Sequence, residues 1–338
     1  MHMADALLSP AVGGTMMAVT IGLTAYSIKK MQTEPQQEES KIPLMGVMGA
    51  FVFAAQMINF SIPGTGSSGH LGGGLMLAIL LGPFAGFLTM ACVLFIQALF
   101  FGDGGLLAYG ANVFNMGFFS CFVAYPLIYR PLMKKGITTK RIIVAAVITA
   151  VVGLQLGAFS VVVETLLSGK TELPFETFAM FMQPIHLAIG LVEGFVTAAV
   201  IGYVWNARPE LLACPTCKLE KTSVPMKKIL LVLTGCVIVM GAIISLWASA
   251  NPDGLEWAIG NVTGGDSIQA SGAIHTFFAR IQEKIAFLPD YQFENGGKNG
   301  ALGTSVSGIL GGMMTLALAG FIAFIVHRIA KRKMRNHS

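Results

Sequence analysis

The sequence predicts an all-α, polytopic membrane protein with about nine transmembrane helices, each needing roughly 20 mostly apolar residues. Three observations carry this. Of the 338 residues, 54% are apolar and only 12% are charged, against about a quarter in soluble domains. Mean hydropathy is +0.70. The apolar residues gather in runs of span length, parted by polar loops in which the basic residues cluster.

The first run covers 10–28 and stops at Lys29 and Lys30; a short charged loop leads to a second over 43–61. The glycine-rich segment IPGTGSSGHLGGG, 62–74, holds His70. The apolar stretch 71–101 is broken at Leu81-Gly82-Pro83. Proline removes a backbone donor and kinks a helix, so the stretch reads as a hairpin or two short helices. Runs at 111–132, 142–167 and 178–205 follow. Residues 207–228 are polar, basic and proline-containing, and read as a cytoplasmic linker; they carry a lone Cys214, Cys217 pair with no second cysteine pair beside it. After a run at 229–248 comes a stretch rich in acids, asparagines and glycines, 249–301. A last run at 302–326 precedes a basic tail. The expected division is a membrane domain over 1–206, the linker, and a two-span domain over 229–338 whose 249–301 segment is extracytoplasmic.

Positive charges give the orientation. The clusters at 29–30, 134–141, 208–228 and 327–335 belong on the cytoplasmic side. The parity closes only if 71–101 passes twice. The N-terminus, His70 and 249–301 are then outside a bacterial-type cell membrane, and the C-terminus is cytoplasmic. The net charge of +5 lies mostly in these clusters, so it reports topology rather than nucleic-acid binding. Gly169-Lys170-Thr171 resembles the end of a P-loop, but Glu164 stands where the leading glycine is required. No nucleophile–base set is evident, so the expectation is a protein that is not an enzyme.

The N-terminus reads MHMADALLSP, with an acidic first charge, Asp5, and no basic region typical of a signal peptide. The α-amine of Met1, the backbone nitrogen of His2 and the Nδ1 of His2 can close two chelate rings on one ion. Three nitrogens in a plane suit Ni(II) or Cu(II). A histidine at position 2 also occurs in chains that bind no metal. His70, between glycines, is either a fourth nitrogen for that chelate or an exposed loop residue. Irregular backbone at membrane depth is tolerated where it is buried or lines a cavity, and the shared side of the membrane favours the first reading.

Other polar residues stand out in apolar runs. His186 and Glu193 are seven apart and share a helix face. They fit equally a pair that orients His70 or lines an entry path, and a polar pair that holds helices together. Asn112 and Asn115 read the same way. Asp5 could pin the N-terminal loop or accept from a ligand imidazole. Gly14, Ala18 and Gly22 form a small-residue ridge, suited to close helix approach within the chain or with a partner.

Four stretches, MHMADALLSP, GTGSSGHLGGG, ANVFNMGF (111–118) and HLAIGLVEG (186–194), resemble the substrate-binding membrane subunit of cobalt/nickel energy-coupling factor transporters, the CbiM/NikM family. The resemblance covers about residues 1–206. Residues 229–326 resemble the small two-span subunit that accompanies it, through NPDGLEW (251–257), so the chain looks like a NikMN-type fusion. The resemblance implies an ion bound by the N-terminal amine, the second-residue amide and imidazole, and a loop histidine. These fall on Met1, His2 and His70. It implies Ni(II) or Co(II) as transported substrate with no organic cofactor, and a deprotonated amide in the plane leans towards nickel. It implies partners too: a transmembrane coupling subunit, met by the ridge of Gly14, Ala18 and Gly22, and ATP-binding cassette ATPases that hydrolyse ATP. MADALLSP departs from the proline–glycine variant of many relatives and leaves the ligands intact. A secondary transition-metal transporter working alone is the alternative; it would carry inverted repeats, and none is evident.

Overall fold

The computed structural model describes residues 1–33, 41–212, 224–265, 268, 270, 272–293 and 300–335, and the chain is mainly helical. Cys214 and Cys217 lie outside the described residues. A short N-terminal loop leads into α1 (Pro10–Thr33) and then α2 (Lys41–Gln56). The glycine-rich segment read as a loop carries a small antiparallel hairpin, β1 (Phe60–Ile62) and β2 (Ser67–Gly69), with Ser61 opposite Ser68. Its turn places Gly64 and Gly66 at φ of +78° and +74°, a conformation that glycine adopts without steric cost.

The break read at Gly82-Pro83 separates α3 (Gly74–Leu81) from α4 (Pro83–Phe100). Pro83 opens α4, where its missing N–H leaves no helical bond unmade. Next, α5 (Tyr109–Val113) continues through a π-helical stretch, Phe114–Tyr129, into α6 (Arg130–Met133) as one rod. The pair α7 (Thr139–Leu167) and α8 (Phe175–Ala207) follows. Then come α9 (Met226–Ala242), α10 (Gly254–Thr263), α11 (Ala273–Ile285) and α12 (Gly300–Arg335).

Among the described residues, seven helices are long and apolar enough to cross a membrane: Pro10–Thr33, Pro83–Phe100, Tyr109–Met133, Thr139–Leu167, Phe175–Ala207, Met226–Trp247 and Leu302–Arg332. The nine expected are not matched one for one, and the difference lies at two places. The 16 residues of α2 rise about 24 Å and the eight of α3 about 12 Å, against a hydrocarbon core of about 30 Å. The apolar runs are helical, but α2 and α3 are shorter than a full span.

Packing relies on backbone approach. A Cβ on Gly194 would stand 2.4 Å from the Cα of Val147, so α7 and α8 meet closely. The last helix meets α2 where Gly311 faces the ring of Phe53, and meets α9 where Gly308 faces Gly241. Helix α1 lies on the outside of the bundle. Its Thr20 hydroxyl donates to the Gly110 carbonyl at 2.7 Å, while Gly14, Ala18 and Gly22 are exposed.

The segment after α9 folds back over the N-terminal loop. The Ser249 N–H donates to the Asn59 carbonyl at 2.7 Å, and the Ser68 N–H to the Pro252 carbonyl at 2.8 Å. From α11, His275 Nε2 sits 2.9 Å from the Leu8 carbonyl oxygen, and the Gln282 amide donates to the carbonyls of Ala98 and Gly104, both at 2.8 Å. The N-terminal loop is thereby enclosed between the membrane bundle and the C-terminal part of the chain.

Candidate metal centre

The first residues are buried, unusually for a chain terminus. Met1 is 5% exposed and Met3 fully buried. An asparagine holds them in place: Asn112 accepts the Met3 N–H at 2.7 Å and donates to the Met3 carbonyl at 3.1 Å. Asn115 donates to Glu164 at 2.8 Å and lies against the Met3 sulfur. Asp5 pins the loop, accepting the Ala108 N–H at 2.9 Å. Of the two roles open to Asp5, the anchoring contact is the one present.

The loop delivers His2 to His70. Their rings stack with centroids 4.9 Å apart at 28°. A chain of amides fixes the His2 ring. Gln56 must donate to the Gly72 carbonyl, 2.8 Å away, since a carbonyl only accepts. Its Oε1 therefore accepts from the Gln97 amide at 2.9 Å. The Oε1 of Gln97 then accepts from His2 Nε2–H at 3.1 Å. That leaves the lone pair on His2 Nδ1, the atom a chelate with the α-amine needs. His70 is fixed similarly: its Nδ1–H donates to the Leu71 carbonyl at 3.1 Å, and its Nε2 has no hydrogen-bond partner. Burial, with the N-terminal charge next, pulls both imidazoles down to about 3. Both rings are neutral at physiological pH, the form in which imidazole binds metal.

Glu193 holds the other side of the His70 loop. Its carboxylate accepts the N–H groups of Gly72 and Gly73 at 2.7 and 3.1 Å. His186 donates from Nδ1 to the Met182 carbonyl at 2.8 Å. Its Nε2 has no partner, and the ring lines a small cavity with Met1, His70 and Asp253. Gly14, Ala18 and Gly22 are on exposed α1 and take no part in this cluster.

Two carboxylates missing from the sequence reading face the same atoms. Asp253 Oδ2 lies 3.4 Å from the N-terminal nitrogen and 3.9 Å from His70 Nε2. Asp103 Oδ1 lies 3.4 Å from His2 Nδ1, and its other oxygen accepts the Tyr291 hydroxyl at 2.5 Å. Burial favours the neutral form of Asp253, but the adjacent N-terminal ammonium outweighs it and holds the carboxyl well below its usual range. Burial raises Asp103, partly offset by the Tyr291 hydroxyl. Above the rings is a cavity of about 460 Å³, lined by His2, His70, Asp103, Asp253, Glu256 and Asp290 among others. Among the described residues no three His, Cys, Asp or Glu side chains are grouped to hold an ion. An ion at this place would draw on the amine and backbone nitrogen as well as the two imidazoles.

Known proteins share this arrangement of sequence. Residues 2–211 match the family described as cobalt uptake substrate-specific transmembrane region, CbiM, and residues 227–328 match the PDGLE domain. A protein of Archaeoglobus fulgidus, provisionally named a fused nickel transport protein NikMN, is 33% identical over 94% of this chain and 96% of its own. The fused nickel transport protein NikMN of Rhodobacter capsulatus is 32% identical over 63% of this chain and 64% of its own. A crystal structure of a truncated transition metal transporter superposes with a TM-score of 0.53 at 32% identity, covering 61% of this chain and 99% of that one.

Proposed function

This chain belongs to the CbiM family of cobalt uptake substrate-specific transmembrane proteins, and from that premise we propose that it is the substrate-capturing component of an energy-coupling factor importer for nickel or cobalt ions. The ion is bound outside the cell by the Met1 amine, the amide and imidazole of His2, and the imidazole of His70. The observation that carries this reading is the stacking of His2 on His70, with the N-terminal nitrogen and His70 Nε2 facing one oxygen of Asp253, and with both tautomers set so that His2 Nδ1 and His70 Nε2 keep their lone pairs. Four nitrogens, one of them an ionised amide, favour Ni(II) over Co(II).

The reading divides the chain into a capture domain over 1–206, a cytoplasmic linker over 207–228 and a two-span domain over 229–338. Energy comes from elsewhere: ATP-binding cassette ATPases act through a transmembrane coupling subunit. The exposed ridge of Gly14, Ala18 and Gly22 supports α1 as the surface that meets that subunit. The N-terminus is outside a bacterial-type cell membrane and the C-terminus is cytoplasmic.

The test is bound metal and cellular nickel uptake in His2→Ala and His70→Ala, with membrane levels matched to the parent. Each variant loses one nitrogen from the set and is expected to lose both bound metal and uptake. Normal uptake by both variants would overturn the proposal.

A further inference from the structure

Asp253 stands apart from the other carboxylates of the large cavity. Its backbone opens α10 in a capping box: Oδ1 accepts the N–H groups of Leu255 and Glu256 at 2.9 and 2.8 Å. The Glu256 side chain is spent on the Asp253 N–H at 3.1 Å. One oxygen of Asp103 accepts from Tyr291, and the other faces His2 Nδ1. The second oxygen of Asp253 is turned instead between the N-terminal nitrogen and His70 Nε2, which is buried, 8% exposed at the residue level, and has no hydrogen-bond partner. Ser68 ties this segment to the hairpin that precedes His70, its N–H donating to Pro252 and its hydroxyl to Asn251, both at 2.8 Å. Carboxylate and imidazole are thus carried on one joined piece of backbone.

We propose that Asp253 is the entry ligand of the site. A hydrated divalent cation in the cavity loses a water as Asp253 Oδ2 binds it. The ion then moves to the N-terminal nitrogen and to His70 Nε2 as Oδ2 lets go; the ammonium and the His2 amide each give one proton to solvent in the cavity as they bind, and the remaining waters of the ion leave by the same route. No redox change is involved, and the ion takes the place that the N-terminal ammonium holds on Oδ2. This rests on the reading of Met1, His2 and His70 as the resident ligand set. The PDGLE segment thereby gains a chemical role, carrying an anionic oxygen into a site built by the rest of the chain. Clefts lined by one sign of charge raise the local concentration and arrival rate of opposite charge, so Asp253 acts on how fast the ion is captured.

Asp253→Asn separates ion entry from helix capping, since an asparagine oxygen still caps α10 while its NH₂ turns towards the amine and His70. The full chain, purified with a free N-terminus, is mixed with nickel chloride in a stopped-flow instrument at several salt concentrations. Final nickel content is read by elemental analysis. Asp253→Asn is expected to take up nickel on the order of ten-fold more slowly, with a weaker salt dependence, and to reach the parent's final content. Asp253→Glu restores most of the rate. An unchanged rate and salt dependence in Asp253→Asn would overturn the proposal, and so would an unchanged rate with lost final content, which makes Asp253 a resident ligand. Asp253→Ser, which also keeps a capping oxygen but carries no charge, gives the same comparison should Asp253→Asn not fold. Normal final content in His2→Ala is a different failure, that of the ligand set.

Discussion

The carboxylate of Glu193 accepts the backbone N–H of Gly72 at 2.7 Å, joining the middle of α8 to the loop that carries His70. Glu193 also accepts from Gly73, which sits at φ +79°. The polar pair read from the sequence thus has divided duties: Glu193 holds the loop backbone, and His186 lines the small cavity beside Met1.

Glu193→Gln puts an NH₂ donor where two backbone donors need acceptors. Supports of this kind cost about 10–100-fold in metal affinity when removed. The expected result is weaker nickel binding in that range with membrane insertion intact, measured by competition titration against a chelator. Parental affinity would show that the loop needs no anionic anchor.

Gln97→Leu cuts the amide chain that sets the His2 tautomer. His2 Nε2–H loses its acceptor and Gln56 Oε1 loses its donor. Nickel affinity is expected to fall by about ten-fold or more, and Gln97→Glu, which still accepts from Nε2–H, is expected to lose less. Equal affinities in the two variants would break the link between the chain of amides and the ring.

Much of this was legible in the sequence, and the reasons differ by residue. Gly82-Pro83 broke a long apolar run because backbone chemistry is local, and α4 begins at that proline. Met1, His2 and His70 stood out by chemistry; the structure stacks His2 on His70 and lines one small cavity with Met1 and His70. Gln56 and Gln97 gave a weaker signal, single amides in apolar helices, where polar groups usually face the protein interior. Asp103 gave none, and Asp253 stood out only as part of NPDGLEW, with nothing to direct it at the N-terminus. They sit in polar loops without periodicity, and their partners at Met1 and His2 lie far away along the chain. The length of α3 was hidden because its glycine-rich entrance and its eight helical residues are equally apolar.

Gly308→Ala tests the joint between α9 and α12. An added Cβ would lie 2.0 Å from the Gly241 carbonyl oxygen, so the helices must part. Overpacking of this kind destabilises by about 1–3 kcal/mol. A lower thermal midpoint of the detergent-purified protein is expected, while Gly235→Ala, with open space around it, is expected to be neutral. Equal midpoints would show that α12 shifts freely against α9.

The central claim is that the N-terminal nitrogen is itself a ligand, and the most direct measurement is bound nickel in two matched proteins. One carries a single alanine ahead of Met1 and the other a single alanine after Ser338; both are purified at equal level and checked by mass spectrometry for their ends. The added residue turns the amine beside Asp253 into an amide and moves the new amine out of the chelate ring. Metal binding through deprotonated nitrogen is pH-dependent, so both proteins are measured at the same pH. The account predicts that the N-terminal extension loses most of its bound nickel and the C-terminal extension keeps it. Equal nickel in the two would contradict it.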